Sequence, residues 1–158
     1  MIFVTVGTYE TPFDRLLRAV EPLTAKDKLV IQTGPSTVRP AGATCIDYLS
    51  FDRLVEHIRG SSAVISHAGV GSIMTTVANG RRPVVVPRLR RYDEVVDDHQ
   101  LELARRLDQD ELVVLVEDPA ELGSVLEETM LRHPASSYGN NPIAHDLREY
   151  LDAQLARL

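Results

Sequence analysis

The chain has 158 residues, enough for one domain with a real core, and its 44% apolar and 25% charged residues are ordinary for a globular protein. No apolar run reaches the length of a membrane span and no signal-peptide pattern is present, so a cytoplasmic address is expected. A net charge of −6 argues against a nucleic-acid binder, and the single cysteine, Cys45, excludes an internal disulfide and a multi-cysteine zinc site.

Residues 1–6 read as a strand ending in the turn Gly7-Thr8. Phe13, Leu16, Leu17 and Val20 mark one face of a helix that tolerates Pro12 in its first turn and stops at Pro22. Residues 29–34 form a second strand with a glycine at its end, 35–42 a proline-marked loop, and 43–49 a third strand. Ser50 is placed as the N-cap of a helix carrying Leu54, Val55 and Ile58. Ala63-Val64-Ile65 is a buried strand, followed by Ser66-His67-Ala68-Gly69-Val70-Gly71-Ser72 and a helix with Ile73, Met74, Val77 and Ala78 at helical spacing. Gly80 ends that helix, and Val84-Val85-Val86 is the next strand. A polar loop over 88–96, a helix over about 97–107, a last strand over 112–116 and a helix opened by Pro119 follow. A linker over 133–142 leads to a terminal helix over about 143–158. We therefore divide the chain into a domain over 1–132 and a linker with its helix over 133–158.

Strands alternating with helices imply a largely parallel sheet of about six strands covered on both faces, a Rossmann-like, doubly wound α/β fold. Three strands then end in glycine turns on the same edge of that sheet. At the central turn, Gly69 and Gly71 let a ligand approach the backbone, and Ser72 can cap the helix or donate its hydroxyl. The free N–H groups of the first helical turn make an anion site suited to a diphosphate. Glycines placed for packing alone would give the same spacing. His67 stands at the carboxyl end of a central strand, where open α/β sheets hold ligands, although a lone histidine also serves as a structural hydrogen-bonder.

Two further stretches carry candidates. Arg81, Arg82, Arg88, Arg90 and Arg91 crowd around one strand. They read as a solvated edge, with Arg88 and its neighbours left open as attractors of an anionic ligand. Asp97-Asp98-His99-Gln100 opens a helix on the ligand edge: an aspartate is a natural N-cap, and Gln100 has the donors and acceptor to read sugar hydroxyls. Asp97, Asp98 and His99 are adjacent and do not converge on one metal ion. The G-x-G-x-x-G, Walker A and G-x-S-x-G patterns are absent.

Ser-His-Ala-Gly-x-Gly-Ser-Ile at 66–73, Pro-Val-Val-Val-Pro-Arg at 83–88 and Asp-Asp-His-Gln-x-Glu-Leu-Ala at 97–104 occur in order, preceded by Gly7-Thr8, Pro12-Phe13-Asp14 and Gln32-x-Gly34. Together, over about residues 1–130, they resemble the carboxy-terminal, donor-binding half of family 28 GT-B glycosyltransferases. The likeness is to stand-alone halves of the Alg13-like and bacterial PssE/EpsF-like kinds. The resemblance implies inverting transfer from a UDP-sugar with no cofactor and no bound metal. It implies that Gly69, Val70, Gly71 and Ser72 hold the diphosphate, with Gly7 and Thr8 beside it. His67 would stand near the donor and His99 with Gln100 at the sugar. Thr75 or Thr76 occupies the place where related halves carry an acidic ribose contact, and an extra arginine stands between Gly80 and Pro83.

In the split families the missing half is a separate membrane-associated protein of the Alg14/PssD type that handles a lipid-linked acceptor. The resemblance thus implies such a partner, recruitment to the inner face of the membrane, and a catalytic base on the partner, His67 being the one candidate here. The terminal helix, striped with Ile143, Leu147, Tyr150, Leu151, Leu155 and Leu158, either folds back on the domain or docks on that partner. The alternative reading is a non-catalytic nucleotide-sugar-binding or regulatory module.

Overall fold

A computed structural model gives the architecture of residues 1–132 and of Pro142, Asp146 and Glu149; apart from Asp146 and Glu149, the expected terminal helix lies outside these described residues. The strands are β1 (Ile2–Thr5), β2 (Leu29–Gln32), β3 (Thr44–Ile46), β4 (Ala63–His67), β5 (Val84–Val86) and β6 (Val114–Leu115). The helices are α1 (Asp14–Val20), α2 (Phe51–Gly60), α3 (Val70–Ala78), α4 (His99–Gln109) and α5 (Leu122–Arg132). All six strands pair parallel in the order β3-β2-β1-β4-β5-β6. The expected doubly wound parallel sheet is therefore present.

The alternation of side chains along each strand builds two cores. Ile2, Val4, Leu29, Ile31, Ile65, Val84 and Val86 face one side and pack with Leu16, Leu17 and Val20 of α1 and Leu122 and Leu126 of α5. On the other side Phe3, Val30 and Val64 meet Ile58 of α2. There too Val85 and Val113 meet Ile73 and Val77 of α3 and Ala104 of α4.

Several boundaries differ from the sequence reading. The third strand contracts to Thr44–Ile46 and the last to Val114–Leu115, because both lie at sheet edges with a partner on one side only. The ladder at the last strand continues past its ends, with Val114 N–H donating to Pro83 O at 2.9 Å and Val116 N–H to Val85 O at 2.9 Å. Pro22 does not stop the chain from winding. It sits in the first turn of a 3₁₀ segment, Glu21–Ala25, where its missing N–H is no loss. Pro119 likewise opens a 3₁₀ turn, Pro119–Glu121, before α5 begins. Ser50 does cap α2, accepting from Arg53 N–H at 3.5 Å.

Candidate functional site

The strand order reverses between β1 and β4. The chain winds outwards to β3 on one side of this seam and to β6 on the other, so the loops after β1 and β4 diverge and leave a crevice at their carboxyl ends. Gly7 follows β1, Gly34 lies just after β2, and Gly69 follows β4. Gly7 and Gly34 have φ of 77° and 53°, in the left-handed region that disfavours any side chain.

These glycines are packed around one imidazole. A Cβ on Gly7 would lie 2.4 Å from His67 Cε1, and one on Gly69 would lie 2.2 Å from His67 Nε2. A Cβ on Gly34 would come within 3.0 Å of Gly7 O. His67 is thus held between two stretches of bare backbone, 9% exposed, with Nδ1 lacking a hydrogen-bond partner. Burial is the main force pushing its pKa down from 6.5 to about 4; the charge of Arg88 adds to it and the Thr5 backbone opposes it. His67 is accordingly neutral at physiological pH. Gly71 is different: a Cβ there meets nothing within 4 Å, so the space above it is open.

Helix α3 starts at this crevice. Gly69 occupies its N-cap, φ −79° and ψ 131°, so Ser72 lies inside the helix and does not cap it. No side chain caps the helix and no acidic residue stands in its first turn. The N–H groups of Val70, Gly71 and Ser72 precede the first intrahelical bond, from Ile73 N–H to Gly69 O at 3.0 Å, and have no partner within the helix. They present a dipole end to solvent beside His67. Deeper in the helix, Thr75 Oγ1 donates to Gly71 O at 2.7 Å and Thr76 Oγ1 to Ser72 O at 2.8 Å. Thr75 is buried, and its hydroxyl retains only accepting capacity.

Loops after β1 and β5 complete the rim. Gly7 N–H donates to Thr5 Oγ1 at 3.1 Å, whereas Thr8 is exposed. Arg88 is fully buried. Its Nη1 donates to Thr11 O and Pro12 O at 2.9 and 3.1 Å, and its Nη2 to Val6 O at 3.2 Å. Of the five clustered arginines, this one is an interior clamp and not a solvated edge. Asp98 takes the N-cap position of α4, but its Oδ1 accepts from Arg90 N–H at 2.9 Å; Asp97 Oδ1 accepts from His99 N–H at 3.1 Å. The His99 side chain is 80% exposed, with Nδ1 3.0 Å from Asp97 Oδ2. Gln100 is half-buried, with Oε1 unpartnered. Among the described residues no hydrogen bond joins His99 or Gln100 to the His67 group, and no cluster of His, Cys, Asp or Glu is arranged to hold a metal.

Sequence reasoning missed the pair Arg15–Glu94. Arg15 Nε and Nη2 grip the two oxygens of Glu94 at 2.9 and 2.8 Å, and Leu89 N–H donates to Glu94 Oε2 at 3.0 Å. Seventy-nine residues separate the two, so spacing offers no signal. The pair borders a cavity of about 530 Å³ lined by Thr11, Asp14, Arg18 and Tyr92 among others. A second cavity of about 340 Å³ lies between Tyr9, Thr11 and Arg90 and the aliphatic pair Val95 and Val96.

An open parallel sheet wound outwards from a central reversal point defines the class of doubly wound, Rossmann-like α/β domains. Residues 1–147 match the model of the glycosyltransferase family 28 C-terminal domain, and the chain belongs to that family. It is 37% identical over 119 residues to the UDP-N-acetylglucosamine transferase subunit ALG13 of Homo sapiens, and 36% over 119 residues to that of Mus musculus. Those matches take in 67% and 66% of this chain but only 10% of each relative, so the chain spans about a tenth of their length. Among solved structures, the glycotransferase of kitacinnamycin superimposes with a TM-score of 0.64 at 16% identity, over 96% of this chain and 39% of that one. The calicheamicin glycosyltransferase CalG4 gives 0.60 at 16% identity, over 99% and 43%. MurG of Acinetobacter baumannii gives 0.56 at 13% identity, over 98% and 49%. At such identities the likeness establishes the shared fold, and the chain corresponds to a part of each of these structures.

Proposed function

We propose that the chain is the donor-binding subunit of a split, inverting glycosyltransferase. It holds the diphosphate of a UDP-sugar at the start of α3 and acts with a membrane-associated, acceptor-binding subunit of the Alg14/PssD type that presents a lipid-linked saccharide. The observation that carries this reading is the uncapped N-terminus of α3, with its free N–H groups, set beside bare glycine backbone and a neutral imidazole at the sheet's reversal point. Aimed N–H dipoles stabilise negative charge that builds on a departing nucleoside diphosphate, and they do so without reorganising. Family membership and the subunit named in the curated relatives support the choice of UDP-sugar. Thr8, His99 and Gln100 are assigned to the same donor by position along the rim, with the base supplied by the partner.

Calorimetric titration with UDP tests the site. Gly71→Asp puts a carboxylate into open space beside the free N–H groups, so the fold survives and the diphosphate is repelled. Binding by the wild-type chain and loss of at least an order of magnitude in affinity in the variant is the expected result. Equal binding by both places the donor elsewhere. The alternative, a non-catalytic nucleotide-sugar module, draws on one observation: the Thr75 hydroxyl is already committed to Gly71 O where an acidic ribose contact is implied. Retention of UDP binding with no transfer in the presence of the partner would favour it.

A further inference from the structure

Arg88 is the largest side chain among those fully buried. Its two terminal nitrogens are committed to three carbonyls, all from the segment that runs from the end of β1 into α1. Its guanidinium carbon lies 4.6 Å from the Phe13 ring centroid and 5.6 Å from that of Tyr9. Phe13 and Tyr9 belong to the same segment. One side chain from the loop after β5 therefore fixes the course of the loop after β1 by hydrogen bonds in its plane and by ring faces above it.

The charges around it do not balance. Arg88 faces Glu94, Arg15 and Tyr9. Glu94 is engaged by Arg15 in a two-pronged pair and also accepts from Leu89 N–H, so its charge is matched by Arg15. Among the described residues no carboxylate lies within ion-pair distance of Arg88, and Arg88 Nε has no hydrogen-bond partner at all. Burial lowers its pKa, yet a guanidinium stays charged at any physiological pH. A buried cation left without a counterion is costly, and it is retained where something else supplies the negative charge. The group positioned to supply it is an anion in the crevice above. His67 already feels this field: after burial, the Arg88 charge is the second cause that keeps its imidazole neutral.

We propose that Arg88 is a positioning residue for the nucleotide site: it sets the path of residues 6–12 and supplies, without touching the ligand, the positive field that favours a diphosphate over an uncharged nucleoside. The proposal rests on the reading of the crevice as a nucleoside-diphosphate site. It makes the counterion of Arg88 the ligand itself, which gives the site a preference for charge.

The test compares UDP with uridine, by calorimetry, in the wild-type chain and in Arg88→Met, Arg88→Lys and Glu94→Gln. Arg88→Met is expected to lose UDP affinity on the order of tenfold beyond any loss for uridine. By nuclear magnetic resonance, its His67 should then titrate above the wild-type midpoint of about 4. Arg88→Lys keeps the charge and should hold the UDP-to-uridine ratio near wild type while loosening the loop. A purely structural arginine would lower both affinities together and leave the UDP-to-uridine ratio unchanged; that result overturns the proposal. If Arg88→Met does not fold, Glu94→Gln decides. Its amide oxygen can still accept from Arg15 Nη2 and Leu89 N–H, the bond from Arg15 Nε is lost, and one negative charge is gone, so the UDP-to-uridine ratio should rise severalfold. An unchanged ratio overturns the proposal. A wild-type chain that binds no UDP overturns both this proposal and the proposed function, whereas wild-type binding with unresponsive variants overturns this proposal alone.

Discussion

His67 is the residue at which the candidate site and the stability of the fold are coupled. Its pKa is about 4 in the folded chain against an ordinary 6.5, so between those values the unfolded chain holds a proton that the folded chain does not. Stability from this group is therefore present in full above about pH 6.5 and is lost as pH falls towards 4. A shift of that size corresponds to about 3 kcal/mol. Urea midpoints from pH 7.5 down to 4 should fall more steeply for the wild-type chain than for His67→Gln; parallel curves would show that His67 carries no such burden. That this histidine stands at the end of a buried strand, ahead of a glycine turn, was legible in the sequence. Its neutrality was not, because two of its causes, Gly7 and Arg88, lie far from it in sequence. Gly7 and Gly69 wall it in, and Arg88 repels its proton. Likewise the depth of Arg88, left open in the sequence among five clustered arginines, was not legible, since charge clustering in a sequence carries no information about depth.

At the level of elements, the alternation of strand and helix could be read almost entirely, because a sheet buried on both faces writes itself as continuous apolar runs such as Val84-Val85-Val86. What could not be read were ends. Strand length depends on whether a neighbour exists on each side, and the edge strands β3 and β6 shrink for that reason. Helix starts depend on which polar atom reaches the free N–H groups. Either Asp97 or Asp98 looked like the cap of α4; Asp98 holds the cap position but its oxygen is drawn to Arg90 N–H eight residues earlier, and it is Asp97 that accepts from His99 N–H. The proposed boundary at residue 132 is an element-scale claim. Leu122 and Leu126 of α5 are 0% and 2% exposed and close the core against α1. Burying each contributes roughly 2 kcal/mol, so α5 belongs with the sheet. A chain cut after Arg132 should unfold cooperatively in urea and retain UDP binding. A non-cooperative transition would mean that residues 133–158 complete the core, and would move the boundary.

For the whole molecule, the segments that follow β1, β4 and β5 carry large exposed side chains: Tyr9, Val70, Tyr92 and Val96 are 46–79% exposed. Among the described residues no helix is long and apolar enough to cross a membrane. The proposed split enzyme predicts that the chain with a UDP-sugar and a simple soluble acceptor turns over very slowly, and that adding the acceptor-binding subunit raises the rate by orders of magnitude. Robust turnover by the purified chain alone would remove the need for a partner. Strand order itself could be anticipated only through the resemblance, since alternation specifies a parallel sheet but not which strands are neighbours.

The pairing of β1 with β4 has a mechanical consequence. These strands lie side by side although 57 residues of chain, enough for two further strands, separate Thr5 from Ala63. The sheet is in effect two three-stranded leaves, β1 to β3 and β4 to β6, joined along that one seam. If, as proposed, a diphosphate sits across the carboxyl ends of β1 and β4, it would act as a rivet between the leaves, its binding free energy added to their cohesion. The supply of nucleotide would then govern how firmly the first half of the chain is fastened to the second.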